Sequence, residues 1–103
     1  MDELRRTIIK TFMDMVVLAE LRNRPMSGYD VIAYIHKRFH ILVSSGTVYS
    51  LLYSMERDGL LRGMFSRRKR TYSLTDKGKE TIKIILSANE KIQRFMTNVL
   101  AGR

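Results

Sequence analysis

The chain contains no cysteine, which excludes a disulfide framework and any thiolate-bound metal site. It has one proline, Pro25, and no long apolar stretch. The longest apolar-rich run, FMDMVVLAEL from Phe12 to Leu21, includes Asp14 and Glu20 and is too short and too charged to cross a bilayer. The opening MDELRRTIIK is charged where a signal peptide would be apolar. No nucleophile elbow, phosphate-cradling glycine loop or paired-carboxylate pattern is present; Asp76 and Glu80 share a helical turn, but lysines surround them. The expectation is a soluble, cytoplasmic, non-enzymatic protein with no cofactor.

Acid is also missing where base is richest. Residues 61–74 carry Arg62, Arg67, Arg68, Lys69 and Arg70 and no Asp or Glu, so over half of the net charge of +9 lies in fourteen residues. A concentrated patch of this kind selects a polyanion, with nucleic acid ahead of an anionic membrane surface. At 103 residues and 45% hydrophobic content there is material for one domain with a small core.

The apolar spacing organises the rest. Leu4, Ile8, Phe12, Met15 and Leu18 step by three and four and predict a helix to Arg22; Thr11, acting as a cap, would split it into two with a bend. The segment RNRPMSGYD breaks the pattern at Pro25 and then offers Ser27 as an N-cap with Asp30 three residues on, a capping box with Asp in the place of Glu. The second helix runs to about His40 with Val31, Ile32, Ile35 and Phe39 inward, and Ile41 to Val43 form a possible short edge strand. Ser44 or Ser45 caps a third helix to about Asp58, with Val48, Leu51, Leu52 and Met55 inward and Gly59 as its terminator. LLRGMF and RTYSL then read as strands joined by the turn Ser66–Lys69, and Phe65, Tyr72 and Leu74 are expected to anchor that hairpin in the core. Thr75 caps one long last helix to about Leu100.

The order of elements is that of a mainly α winged helix-turn-helix with a minor β component. It divides into a DNA-binding part, residues 1–75, and a C-terminal dimerisation helix, residues 76–103, within one structural unit. Ile82, Ile85, Asn89, Ile92, Met96 and Val99 form a heptad seam on that helix, with Asn89 at a register-fixing position. The competing reading of the seam is core packing within a monomer. His36 and His40 are four apart but have no third ligand nearby, and the seven methionines read as core filler, so no metal site is expected.

Several segments go beyond pattern: Gly28-Tyr29-Asp30; Gly46-Thr47-Val48-Tyr49; Leu52 with Met55-Glu56-Arg57-Asp58-Gly59-Leu60; and Tyr72-Ser73-Leu74-Thr75-Asp76-Lys77-Gly78. Together, over about residues 12–80, they resemble the PadR family of winged-helix transcriptional regulators, in its short subfamily. The chain departs from the family at Ser50, where a proline often follows the tyrosine. The resemblance implies a homodimeric DNA-binding repressor that acts by occluding a promoter.

On this reading the third helix contacts DNA through Ser44, Ser45, Gly46, Thr47, Tyr49, Ser50, Tyr53 and Arg57, and the wing through Arg67, Arg68, Lys69, Arg70 and Tyr72. Hydroxyls and free N–H groups at a helix start suit phosphates and base edges. No Arg, Asn or Gln lies at that start, and those side chains make the bidentate base contacts that discriminate most. Two alternatives therefore stay open: a low-specificity architectural nucleoid protein, and an adaptor that binds proteins through its apolar helices. The partners expected are double-stranded DNA and a second copy of the chain; no effector is identified.

Overall fold

The computed structural model describes residues 2–102. Its elements are α1 (Asp2–Thr11), α2 (Met13–Leu21), β1 (Met26–Ser27), α3 (Gly28–Phe39), α4 (Ser45–Arg57), β2 (Leu61–Ser66), β3 (Lys69–Leu74), α5 (Asp76–Ser87) and α6 (Asn89–Leu100). The fold is a mainly α winged helix. None of these helices is long and apolar enough to cross a membrane.

The N-terminal helical segment is two helices. Phe12, at φ −107° and ψ 22°, interrupts it, although i→i−4 bonds continue on both sides, from Phe12 N–H to Ile8 O and from Val16 N–H to Phe12 O. Thr11 does not cap α2: its hydroxyl donates back to Thr7 O at 2.7 Å. A similar one-residue break at Ala88 (φ −97°, ψ 9°) replaces the single C-terminal helix expected from the pattern. It lies between Ser87 and Asn89, two residues that compete with the helical backbone for hydrogen bonds.

The caps follow the sequence closely. Ser27 Oγ accepts the Asp30 N–H while Asp30 Oδ2 accepts the Ser27 N–H, a complete capping box. Ser44, not Ser45, caps α4 by accepting the Thr47 N–H. Gly59 takes φ +81° just past α4, where a left-handed residue ends the helix at no steric cost. Thr75 caps α5 by accepting the Gly78 N–H at 3.0 Å, and its hydroxyl donates to Gly59 O.

The sheet is antiparallel with order β1-β3-β2. Its third strand is β1, paired Met26↔Tyr72 and Ser27↔Thr71; the segment Ile41 to Val43 forms no strand. Ile41 and Val43 instead bury their side chains and leave Leu42 outside, so this connection is pinned to the core at alternate residues. Val17, Met26, Val31, Ile35, Val48 and Leu52 are the fully buried centre, each contributing about 1.5–3 kcal/mol by leaving water. α3 and α4 meet over this core, and α5 closes it by packing on α2 and β3.

Two expectations about packing are corrected here. Phe65 does not anchor the hairpin: it is 73% exposed, at the turn end of β2, one pair from Ser66↔Lys69. Ile82 is 2% exposed within its own chain, so it belongs to the core and not to a surface seam; Ile85 packs against the same core while remaining partly exposed. The helix that carries them is needed to cover α2 and β3.

Candidate nucleic-acid interface

α4 buries Val48, Leu52 and Met55. By helical spacing this turns Ser45, Tyr49, Tyr53 and Arg57, four residues apart each time, onto the outside, with Gly46 and Ser50 beside them. All six are exposed. Nothing lies within 4 Å of the place a Cβ would take on Gly46, so a ligand has open access to the backbone there. The Arg57 guanidinium stands 6.0 Å from the centre of the Tyr53 ring, within range of a cation–π contact.

Ser44 takes the capping role that the sequence offers to it or to Ser45, and Thr47 shares in it. Ser44 Oγ accepts the Thr47 N–H at 3.2 Å, and the two hydroxyls lie 2.8 Å apart in a hydrogen bond. Both therefore shape the start of α4, while remaining on its exposed side.

The wing is β2, β3 and a two-residue turn. Its register, Ser66↔Lys69 and Phe65↔Arg70, leaves only Arg67 and Arg68 between the strands. Both have positive φ, 51° and 63°, as a type I′ turn demands. That turn normally takes Asn-Gly; a left-handed conformation costs a residue with a Cβ roughly 1–2 kcal/mol. Two arginines are thus held in a strained turn at the most outlying point of the basic segment.

The other two cations of the run are exposed as well, but each is paired with a carboxylate. Lys69 Nζ lies 3.4 Å from Asp30 Oδ2 at the start of α3. Arg70 Nη2 donates to Glu56 Oε2 of α4 at 2.6 Å, and the same carboxylate oxygen accepts the Gly63 N–H at 3.1 Å. The Arg70 hydrogen bond, followed by that N–H, holds the Glu56 carboxyl below its ordinary range, and Glu56 in return raises the Arg70 guanidinium. Asp30 is lowered as well, first by the Ser27 N–H and further by Lys69.

Tyr72 is corrected. At 4% exposure it packs between β1 and β2, opposite Met26 and Gly63, with the Arg70 guanidinium 5.5 Å from its ring centre; it supports the wing from inside. Residues that the sequence showed only as part of a motif or a cap, and not as part of the site, complete the surface. Tyr29, 72% exposed, joins Tyr49, Arg68, Lys69 and Arg70 around a cleft of about 400 Å³ between α3, α4 and the wing. Asp30 and Glu56 hold the wing. Both were visible in sequence only as a cap and as part of a motif, since their cationic partners lie far along the chain.

Comparison with known proteins places this arrangement. A sequence profile described as the transcriptional regulator PadR-like family matches residues 17–84. The fold is shared with a PadR-like transcriptional regulator from Bacillus cereus at 22% identity, with 94% of this chain and 99% of that one covered and a TM-score of 0.75. A PadR family transcriptional regulator from Eggerthella lenta is 24% identical over 98% of this chain and 88% of that one, at a TM-score of 0.74. PadR of Bacillus subtilis, crystallised with operator DNA, is 25% identical over 72% of this chain and 46% of that one, at a TM-score of 0.61. No curated protein sequence matches. The matched profile spans the helix-turn-helix, the wing and most of α5, and the chain belongs to the PadR-like family of transcriptional regulators.

Proposed function

We propose that the chain is a dimeric, nucleoid-associated, sequence-preferring DNA-binding regulator that represses transcription by occluding a promoter. The observation that carries the reading is a pair of exposed elements that meet at one cleft. Ser45, Tyr49, Tyr53 and Arg57 are exposed on α4, and Arg67 and Arg68 at the tip of a wing whose segment has five cations and no acid, and Tyr49 and Arg68 line the same cleft. α4 would enter the major groove with its first turns on the bases, and the wing arginines would take phosphates or the minor groove. The likeness to the Bacillus subtilis PadR solved with operator DNA supports this docking.

Residues 1–75 would bind DNA and residues 76–103 would pair the chains. Support for pairing comes from the two ends of the molecule. Leu4 and Ile8 on α1, and Phe95, Val99 and Leu100 on α6, are exposed apolar side chains, and apolar faces of this kind mark contact surfaces. Ile92 and Met96, half-buried along α6, continue that face; Asn89 is exposed at its start.

One observation favours a second reading, a low-specificity architectural DNA-binding protein. The outer face at the start of α4 offers hydroxyls and rings, with no Arg, Asn or Gln to make bidentate base contacts. Fluorescence anisotropy over a salt series decides, with the upstream DNA of the protein's own gene against a shuffled duplex of equal length. A preference above about a hundredfold at physiological salt makes the protein a regulator. Coincident curves with a steep salt slope make it an architectural protein, and failure to bind either duplex at low salt removes both readings.

A further inference from the structure

Of the four consecutive wing cations, two are committed within the protein. Arg70 reaches Glu56 at 2.6 Å, and its guanidinium lies flat over Gly63, where a Cβ would stand 2.6 Å from both Nε and Nη2. Glu56 accepts from both sides of the hairpin, from Arg70 on β3 and from the Gly63 N–H on β2. Lys69 is tied to Asp30, which is itself engaged in capping α3. Neither Arg67 nor Arg68 has an acidic partner among the described residues.

Resting on the DNA-binding reading above, we infer that Glu56 is a positioning residue of the interface: it fixes the wing to α4, so that Arg67 and Arg68 at its tip, the two cations of the run without an acidic partner among the described residues, are presented to nucleic acid. The geometry gives α4 and the wing one shared anchor. A charge-assisted hydrogen bond of this length is directional and strong, and the paired N–H orients β2 as well as β3. The distance from the outer face of α4 to the wing tip is then set before DNA arrives, which spares the complex the ordering cost of a loose hairpin. Asp30 performs the same task from α3 through Lys69.

The consequence separates position from charge. A carboxylate beside a DNA-binding surface repels phosphate, so on charge alone Glu56→Gln strengthens binding and leaves Arg70 free to reach the DNA. If Glu56 positions the wing, the same substitution weakens binding.

The test measures the affinity of the full-length chain for the duplex carrying its own upstream DNA, over a salt series, for the wild type, Arg67→Gln, Arg68→Gln, Arg70→Gln, Glu56→Gln and the double variant Glu56→Gln/Arg70→Gln. Arg67→Gln and Arg68→Gln each lower the slope of log K against log salt by about 0.9 for each phosphate they cease to neutralise, or about 1.8 for a dimer. Arg70→Gln and Glu56→Gln are expected to weaken binding by on the order of tenfold with the slope unchanged, and the double variant matches the single ones. Faster hydrogen exchange at the Gly63 amide in Glu56→Gln, with the thermal transition retained, reports the released wing independently of DNA. Tighter binding by Glu56→Gln overturns the proposal, as does a fall in slope for Arg70→Gln equal to that for Arg67→Gln. If the wild type binds no DNA at low salt, the functional reading itself fails, a result distinct from either of those.

Discussion

Tyr49 of α4 lies across Gly28, the first residue of α3: a Cβ at position 28 would stand 2.6 Å from Tyr49 Cζ and 2.9 Å from its hydroxyl oxygen. Carbon atoms do not approach so closely without displacement. The missing side chain at position 28 therefore lets the two helices of the helix-turn-helix share one ring between them. Tyr49 is half of a packing contact and, on its outer edge, half of the exposed surface of α4.

Replacing Gly28 with alanine separates these roles. The φ of Gly28 is not in the left-handed region, so the backbone accepts alanine, and the outer end of the Tyr49 ring can swing away. Stability is expected to change by less than about 1 kcal/mol, since alanine in a compatible conformation lowers the entropy of the unfolded chain. DNA affinity falls because the ring leaves its place on α4. Chemical denaturation and anisotropy measured on the same preparation check this; unchanged affinity with an unchanged ring environment in near-ultraviolet circular dichroism would count against it.

The wing turn should show a trade-off between stability and binding. Arg67→Asn with Arg68→Gly supplies the residues that a type I′ turn prefers in place of two arginines at φ 51° and 63°. Relief of the strain raises the melting temperature by several degrees, on a scale of about 4–8 °C per kcal/mol for a domain near this size. The same variant loses DNA affinity and salt slope, because both tip cations are gone. A variant that is neither more stable nor weaker in binding contradicts the assignment of these arginines to function rather than to folding.

Acid should loosen the wing. Glu56 and Asp30 are both held below the ordinary carboxylate range in the folded chain, by Arg70 and by the Ser27 N–H first. A carboxyl whose folded value is depressed binds protons more readily when unfolded. Its contribution is present above the unfolded value, near pH 4, and is lost as pH falls through the lower folded value. Melting curves of the wild type and of Glu56→Gln/Asp30→Asn are therefore expected to differ most at neutral pH, with the wild type more stable, and to converge below about pH 4. A constant gap across that range would show that these ion pairs add nothing.

What the sequence revealed depended on how local the cause was. The caps at Ser27, Ser44 and Thr75, the stop at Gly59 and the hairpin turn are each set by a few adjacent residues, and the structure has them where the sequence placed them. The errors need tertiary knowledge. Ile41 and Val43 look like a strand because both are β-branched and apolar, but the free edge of β3 is taken by Met26 and Ser27. Ile82 fits a heptad by spacing, yet α5 needs it to cover α2 and β3. In the candidate site, the basic run was visible as charge. Its division into Arg67 and Arg68 without an acidic partner among the described residues and Lys69 and Arg70 paired with one was not, because Asp30 and Glu56 approach it from other helices.

The exposed apolar ends of the chain give the last prediction. Phe95 and Val99 are exposed on α6 and, four residues apart, lie on the same side of the helix. Changing both to aspartate removes no buried side chain from the core, so the monomer should fold and melt much as the wild type does. If this face pairs with a second copy, each aspartate must leave water beside apolar side chains without a partner, a cost of several kcal/mol. The mass from light scattering at micromolar concentration should fall from that of a dimer to that of a monomer. Two wings would no longer be joined, so the salt slope for DNA should halve and affinity drop steeply, since a dimer engages its second half-site at high effective concentration. A wild-type chain that is already monomeric removes the pairing, and with it the two-wing surface; a variant that stays dimeric moves the pairing from α6 to the exposed side of α1, where Leu4 and Ile8 lie.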